Sequence, residues 1–161
     1  LGTGIPIRIE RDDLAQTCRG MVEEAKAYHP DRQIDLLTEY TLPWRFDKSR
    51  MEQVIANLIG NAVQHGEADT PVTITLKAVD GYALLSVHNA GLPIEDSAKA
   101  SLFNPLIRHL QGGLEYGADA GLGLGLYIAL AIVTAHQGSI EVESEAGSGT
   151  TFTVRLPSIV T

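Results

Sequence analysis

The sequence predicts an α+β sandwich, one sheet covered on one face by helices. Two hairpin signals, Asp80-Gly81 and Gly147-Ser148-Gly149, each lie between segments that alternate apolar and polar residues. Three longer stretches repeat apolar residues at helical spacing. Strands and helices are mixed without strict βαβ alternation, which disfavours an all-parallel sheet.

In order along the chain, Ile5, Ile7 and Ile9 alternate with Pro6 and Arg8 and predict a strand over 5–10. Asp12 or Asp13 can cap a helix to about Tyr28, with Leu14, Cys18, Met21, Val22 and Ala25 on one stripe and Pro30 beyond the end. Residues 33–40 and 43–46 read as short strands joined by a turn. Asp47 opens a second helix whose stripe is Met51, Val54, Ile55, Leu58, Ile59 and Ala62, ending at Gly66. Val72, Ile74, Leu76 and Ala78 mark a strand over 72–79, and its hairpin partner returns over 82–87. Residues 89–124 are irregular and rich in glycine, and a loop that long is usually functional or disordered. A third helix is expected over 125–136, with Gly138 suited to a left-handed C′ position. Residues 139–144 and 150–156 close the chain as a second hairpin. No repeat or boundary interrupts 1–161, so a single domain is expected.

The 161 residues suffice for one core that buries about 70% of the unfolded surface. No uninterrupted apolar run approaches the roughly 18–20 residues that span a bilayer. The 12 Lys and Arg against 20 Asp and Glu leave a net charge of −8, which argues against nucleic acid as a partner. A polyanionic ligand would therefore need local neutralisation by backbone N–H groups, a metal ion or a few placed cations. The single cysteine, Cys18, cannot form an internal disulfide, and with no leader ahead of the fold a reducing, cytoplasmic setting is expected. A start at Leu1 suggests a piece of a longer protein.

Three features carry chemistry. Asn57 and Asn61 lie four apart on one helix and project from one face. They are either satisfied polar groups at the core edge or, for one amide oxygen, a neutral hard ligand for Mg²⁺. Gly121-Leu122-Gly123-Leu124-Gly125-Leu126 is placed to open the third helix. There, alternate glycines allow close backbone approach, and unpaired N–H groups favour an anion. The alternative is a flexible glycine hinge. Finally, Val87-His88-Asn89-Ala90-Gly91-Leu92-Pro93-Ile94 ends a strand on an asparagine, which can pair with an adenine edge at two points. Alone, that stretch is a turn containing an asparagine.

Together these motifs resemble, in order and spacing, the catalytic and ATP-binding domain of sensor histidine kinases. That domain belongs to the superfamily shared with gyrase, the ninety-kilodalton chaperones and mismatch-repair ATPases. Residues 47–65 (DKSRMEQVIANLIGNAVQH) resemble the N box, VHNAGLPI the first glycine box, and Phe103 to Arg108 (FNPLIR) the F box. GLGLGL resembles the second glycine box, and residues 147–152 (GSGTTF) the final glycine turn.

The resemblance implies a two-layer α/β sandwich of the Bergerat type. It has about five strands, three helices on one face, and a flexible ATP lid over about 95–124. It implies ATP and Mg²⁺ as cofactors, with Asn61 holding the metal and Asn57 lining the same pocket. The related ATPases carry a glutamate base at the position of Asn57. An amide cannot accept a proton there, which favours phosphoryl transfer to histidine over hydrolysis. Asn89 replaces the family's usual adenine-reading aspartate, keeping an acceptor but losing charge assistance, a loss on the order of 1 kcal/mol. Asparagine-containing boxes of this kind resemble a subset that includes phytochrome-like kinases. Pro93 replaces the last glycine of that box, and Gln64 stands where many members have Lys or Arg.

The implied nucleotide contacts are Asn57, Asn61, His65, Asn89, Gly91, Ile94, Gly121, Leu122, Gly123, Leu124, Gly125, Leu126 and Thr151, with Ile94 and Leu126 against adenine. Arg108 is the expected lid cation and catalytic helper, His109 a weaker second. Mg²⁺ and the N–H groups around Gly123 and Gly125 are expected to neutralise most of the phosphate charge. Phe103 reads as a core anchor or as packing for the lid. No histidine here is followed by an acidic residue, so the phosphoacceptor and dimerisation domain is expected elsewhere in the parent protein. His65 is expected to cap its helix, and His88 and His136 to be structural. The implied partners are that acceptor domain and a response regulator, with this piece monomeric and the parent dimeric. The competing reading is a nucleotide-binding regulatory module that clamps a partner without efficient transfer. A gyrase- or chaperone-type hydrolase is the third.

Overall fold

The computed structural model describes residues 4–91 and 118–158, with side chains from residue 124 onward in the last helix. Three helices and seven strands are present among them. β1 (Glu10–Asp13) leads into α1 (Leu14–Tyr28), then β2 (Ile34–Thr38), β3 (Pro43–Phe46) and α2 (Lys48–His65). β4 (Val72–Val79) and β5 (Tyr82–Asn89) follow, then α3 (Ala118–Ala135), β6 (Ser139–Glu145) and β7 (Gly149–Pro157). The main sheet has the order β2-β4-β5-β7-β6; β2 runs parallel to β4 and every other pair is antiparallel. β1 and β3 form a separate antiparallel pair.

Strand parity builds the sandwich. Val72, Ile74 and Leu76, Ala83, Leu85 and Val87, and Phe152, Val154 and Leu156 are all buried on the face beneath the helices. Their neighbours Thr75, Ser86 and Thr153 stand on the other face, more exposed. α2 is the central helix and contributes Met51, Val54, Ile55, Leu58, Ile59 and Ala62 to the core. The expected sandwich, with a five-stranded mixed sheet under three helices, is the observed one.

Four local expectations are corrected. The first strand covers 10–13 rather than 5–10, because Phe46, the partner of Glu10, is the last residue of β3. Beyond it Asp47 leaves the ladder to cap α2, and its carboxylate takes the Arg8 N–H instead. The strand expected over 33–40 covers only 34–38, and it and its neighbour over 43–46 enter different sheets: β2 joins the main sheet and β3 the small one. The third helix begins at Ala118, seven residues early; leucine and alanine between the glycines sustain helical geometry at about 1 kcal/mol per glycine. At its other end Gln137, not Gly138, takes the left-handed conformation (φ 64°). Gly138 is needed for room, since a Cβ there would run into the carbonyl of Arg155.

Of the two candidate caps for α1, Asp13 is used. Its Oδ1 accepts from the N–H groups of Ala15 at 3.0 Å and Leu42 at 2.8 Å. Cys18 is sealed in the core, where burial pushes its thiol up to about 12 and leaves it unreactive.

Candidate functional site

The site is organised by one face of α2. Asn57, Asn61 and His65 recur every four residues, so they stack along the helix at about 6 Å intervals. Each end of that row meets a different glycine-bearing segment. At the Asn57 end, Nδ2 donates to the Gly125 carbonyl of α3 at 3.0 Å. A Cβ on Gly125 would already stand 3.5 Å from Asn57 Cγ, so the two helices are in contact there.

At the His65 end, α2 stops at Gly66, and the strand tip Asn89-Ala90-Gly91 runs directly beneath it. The Glu67 N–H donates to the Ala90 carbonyl at 2.8 Å. A Cβ on Gly66 would lie 2.9 Å from Asn89 Cβ, and one on Gly91 3.0 Å from the His65 carbonyl. Gly149, the first residue of β7, has φ 79°, and a Cβ there would overlap the Asn89 backbone. The strand tip is thus threaded between a helix end and a turn that only glycine permits. Asn89 lies there with 4% exposure, its Nδ2 at 3.3 Å from the Ala90 carbonyl. Arg32 fastens the same helix end by donating to the carbonyls of Val63 (2.8 Å) and Glu67 (3.2 Å).

Between the two ends lies Asn61. It is 6% exposed, and among the described residues its carboxamide makes no hydrogen bond. Its amide atoms are not sealed from solvent, so at the middle of the Asn57–Asn61–His65 row they stay open to a ligand. A hard cation fits that donor: a neutral oxygen with no protein partner among the described residues, one helical turn from both Asn57 and His65.

Other sequence-predicted residues fall differently. Leu126 is core (2% exposed) and unavailable as an adenine wall; Leu124 and Tyr127 are the exposed neighbours, each at 48%. Thr151 pairs with His88 on the far face of the sheet, whereas Thr150, opposite Asn89, faces the helices and meets Ser144 Oγ at 2.7 Å. Of the two, Thr150 therefore lies on the site's side of the sheet, in the same parity as the buried Phe152. Gly121, Leu122 and Gly123 lie inside α3, so the N–H groups of Gly123 and Gly125 are in helical register instead of free at a helix start. His65 occupies the last turn of α2 and is exposed, as is Gln64. His88 Nε2 contacts the Ser148 carbonyl at 2.6 Å. His136 is buried and bonded to Asp47 and Ile132, a structural role as expected. Ile94, Phe103, Arg108, His109 and most of the expected lid (95–117) lie outside the described residues.

A one-sided sandwich whose central helix holds an unpartnered carboxamide between two glycine-bearing segments has the build of an ATP-binding domain. Across residues 46–159 the sequence matches the histidine kinase-, DNA gyrase B-, and HSP90-like ATPases, and the chain belongs to that family. It is 34% identical over 156 residues to a bacteriophytochrome of Pseudomonas aeruginosa, covering 97% of this chain and 21% of that protein. To the sensor histidine kinase RppB of Synechocystis it is 34% identical over 136 residues, 84% of this chain and 29% of the relative. The chain therefore spans between a fifth and a third of these relatives. Among solved structures, full-length ShkA in complex with AMPPNP is 26% identical with a TM-score of 0.80, covering 99% of this chain and 33% of ShkA. The catalytic domain of histidine kinase ThkA in a nucleotide-free form shares the fold (TM-score 0.78, 24% identity, 94% and 97% covered). No helix among the described residues is long and apolar enough to cross a membrane.

Proposed function

We propose that this chain binds Mg-ATP and transfers the γ-phosphoryl group to a histidine on a separate domain of its parent protein, in two-component signalling. The observation that carries this reading is Asn61, 6% exposed and without a hydrogen-bond partner among the described residues, between the Gly125 and Asn89–Gly91 contacts. Asn61 would hold Mg²⁺ through its amide oxygen, and the metal would supply bridging and neutralisation of the phosphates. The remaining ligands would come from phosphate and water.

Asn89 would offer its carboxamide to the adenine edge; turning Nδ2 away from the Ala90 carbonyl sacrifices only a 3.3 Å contact. Asn57 is committed to the Gly125 carbonyl, which fits a lining role and leaves hydrolysis without a base at that position. Amides of the glycine-rich turn can reach phosphate once the first turns of α3 unwind, at little cost in so glycine-rich a segment. In the transfer itself, the bond from the γ-phosphorus to the β-bridging oxygen breaks with ADP as leaving group. A phosphorus–nitrogen bond forms to the imidazole, whose proton passes to a base on the acceptor domain. A response regulator and a cytoplasmic setting complete the reading.

The test combines this chain with the parent protein's histidine-bearing domain and ATP labelled in the γ-phosphate. Acid-labile label on the acceptor, and none on this chain alone, is expected. Tight nucleotide binding without any label on the acceptor would favour the regulatory clamp.

A further inference from the structure

We propose that the contact between Asp47 and His136 couples the segment ahead of β1 to the nucleotide site, with His136 as a positioning residue; this rests on the nucleotide reading above. His136 is 1% exposed at the end of α3, and both ring nitrogens are engaged. Nδ1 lies 2.8 Å from the Ile132 carbonyl, which has only lone pairs to offer, so Nδ1 carries the proton. Nε2 is left as an acceptor, and it takes the backbone N–H of Asp47 at 3.0 Å. Asp47 is also the N-cap of α2: Oδ1 accepts from the Arg50 N–H at 3.1 Å. Its Oδ2 accepts from the backbone N–H of Arg8 at 2.7 Å. One residue therefore ties residues 4–9, the start of α2 and the end of α3 together.

The second tie between α2 and α3 is the bond from Asn57 to Gly125. About ten residues separate the two ties on either helix, and the order reverses, so the helices run antiparallel with ties roughly 15 Å apart. The far tie borders Asn61; the near one carries the segment ahead of β1. A tilt of α3 about the near tie displaces Gly125 relative to Asn57 and Asn61. The position of residues 4–9 and occupancy of the site thus bias the same pair of helices, which is the condition for linkage. The intact junction is taken as the arrangement that favours nucleotide, so by reciprocity nucleotide binding tightens the Arg8 bond.

Amide hydrogen exchange of the full chain, followed by NMR with and without Mg²⁺ and a non-hydrolysable ATP analogue, tests this, with calorimetry on the same samples. Saturating nucleotide should slow exchange at Arg8 and Asp47 by about fivefold or more, the low end of usual coupling. Ser158, whose N–H bonds the Gly81 carbonyl outside this junction, should not follow. His136→Phe, which lacks an acceptor, should weaken nucleotide binding by the same factor and abolish the protection, and His136→Gln should restore part of both. Binding heat with no slowing at Arg8, or with equal slowing at Ser158, overturns the coupling and leaves the nucleotide reading standing. Absence of heat overturns both. Should His136→Phe fail to fold, the wild-type exchange comparison decides alone.

Discussion

The two halves of α2 are built on opposite principles. At its start every polar atom of Asp47 has a protein partner: the Arg8 and Arg50 N–H groups on the carboxylate, His136 on the N–H, and Met51 on the carbonyl. Four residues beyond Asn57, Asn61 is more deeply placed than Asp47 and, among the described residues, makes no hydrogen bond. A saturated pole holds the helix in place, and the unsaturated half is kept for something else to complete. Stability and binding should therefore separate along one helix.

The largest separation is expected for Asn61→Ala. Removing an unpartnered amide costs the fold little, and alanine is the better helix former, so urea midpoints should stay within about 0.5 kcal/mol of wild type. Nucleotide affinity should fall from the micromolar range past 1 mM, about 4 kcal/mol, by titration calorimetry. A large stability loss in this variant would show that Asn61 has a structural partner after all.

Gly149→Ala should behave in the reverse way. Its φ of 79° and the overlap of a Cβ with the Asn89 backbone predict a loss of about 2–3 kcal/mol in urea unfolding. Asp47→Ala, at the saturated pole, should cost about 2 kcal/mol through loss of the cap and the Arg8 bond, with residual binding retained. Equal losses of stability in Asn61→Ala and Asp47→Ala would erase the distinction between the halves.

The smallest effect is in the acid limb. Burial would raise the Asp47 carboxyl, yet the N–H groups of Arg8 and Arg50, with the charge of Arg50, hold it below the ordinary value of 3.8. The N–H of Leu42 does most to lower Asp13, against some burial and with help from Gln16, Ala15 and Arg19. Both carboxyls titrate lower folded than unfolded, so their stabilisation is complete above about pH 4–5 and fades as pH falls through the lowered values. Replacing both by Asn, an equally good cap, should flatten thermal stability against pH between 5 and 3. An unchanged slope would show that other groups set the acid limb.

Much of this was legible in the sequence, for identifiable reasons. Period-two alternation located β4, β5 and β7, and the capping role of Asp47 and the stop at Gly66 were readable from residue type and spacing. The asparagine pair and the strand-tip asparagine were legible because polar residues in apolar company stand out. Pairing partners were not: nothing local in 33–46 reveals that β2 and β3 join different sheets, since that depends on contacts with 72–76 and 10–13. The extent of α3 is not legible locally, because alternate glycines read as a break, whereas the preceding alanines and the intervening Leu122 and Leu124 carry the helix through. The inward side of β7 is legible by contrast, since Phe152 and Val154 fix which residues, Thr150 among them, face the helices.

The central claim is that Asn61 is reserved for a metal-bound nucleotide. Calorimetry of the unmodified chain with a non-hydrolysable ATP analogue, first with Mg²⁺ and then with a chelator, tests it most directly. The account predicts binding on the order of micromolar, about −8 kcal/mol, that collapses when the metal is withdrawn. Binding of equal strength under chelation, or no heat at millimolar nucleotide with Mg²⁺ present, would contradict it.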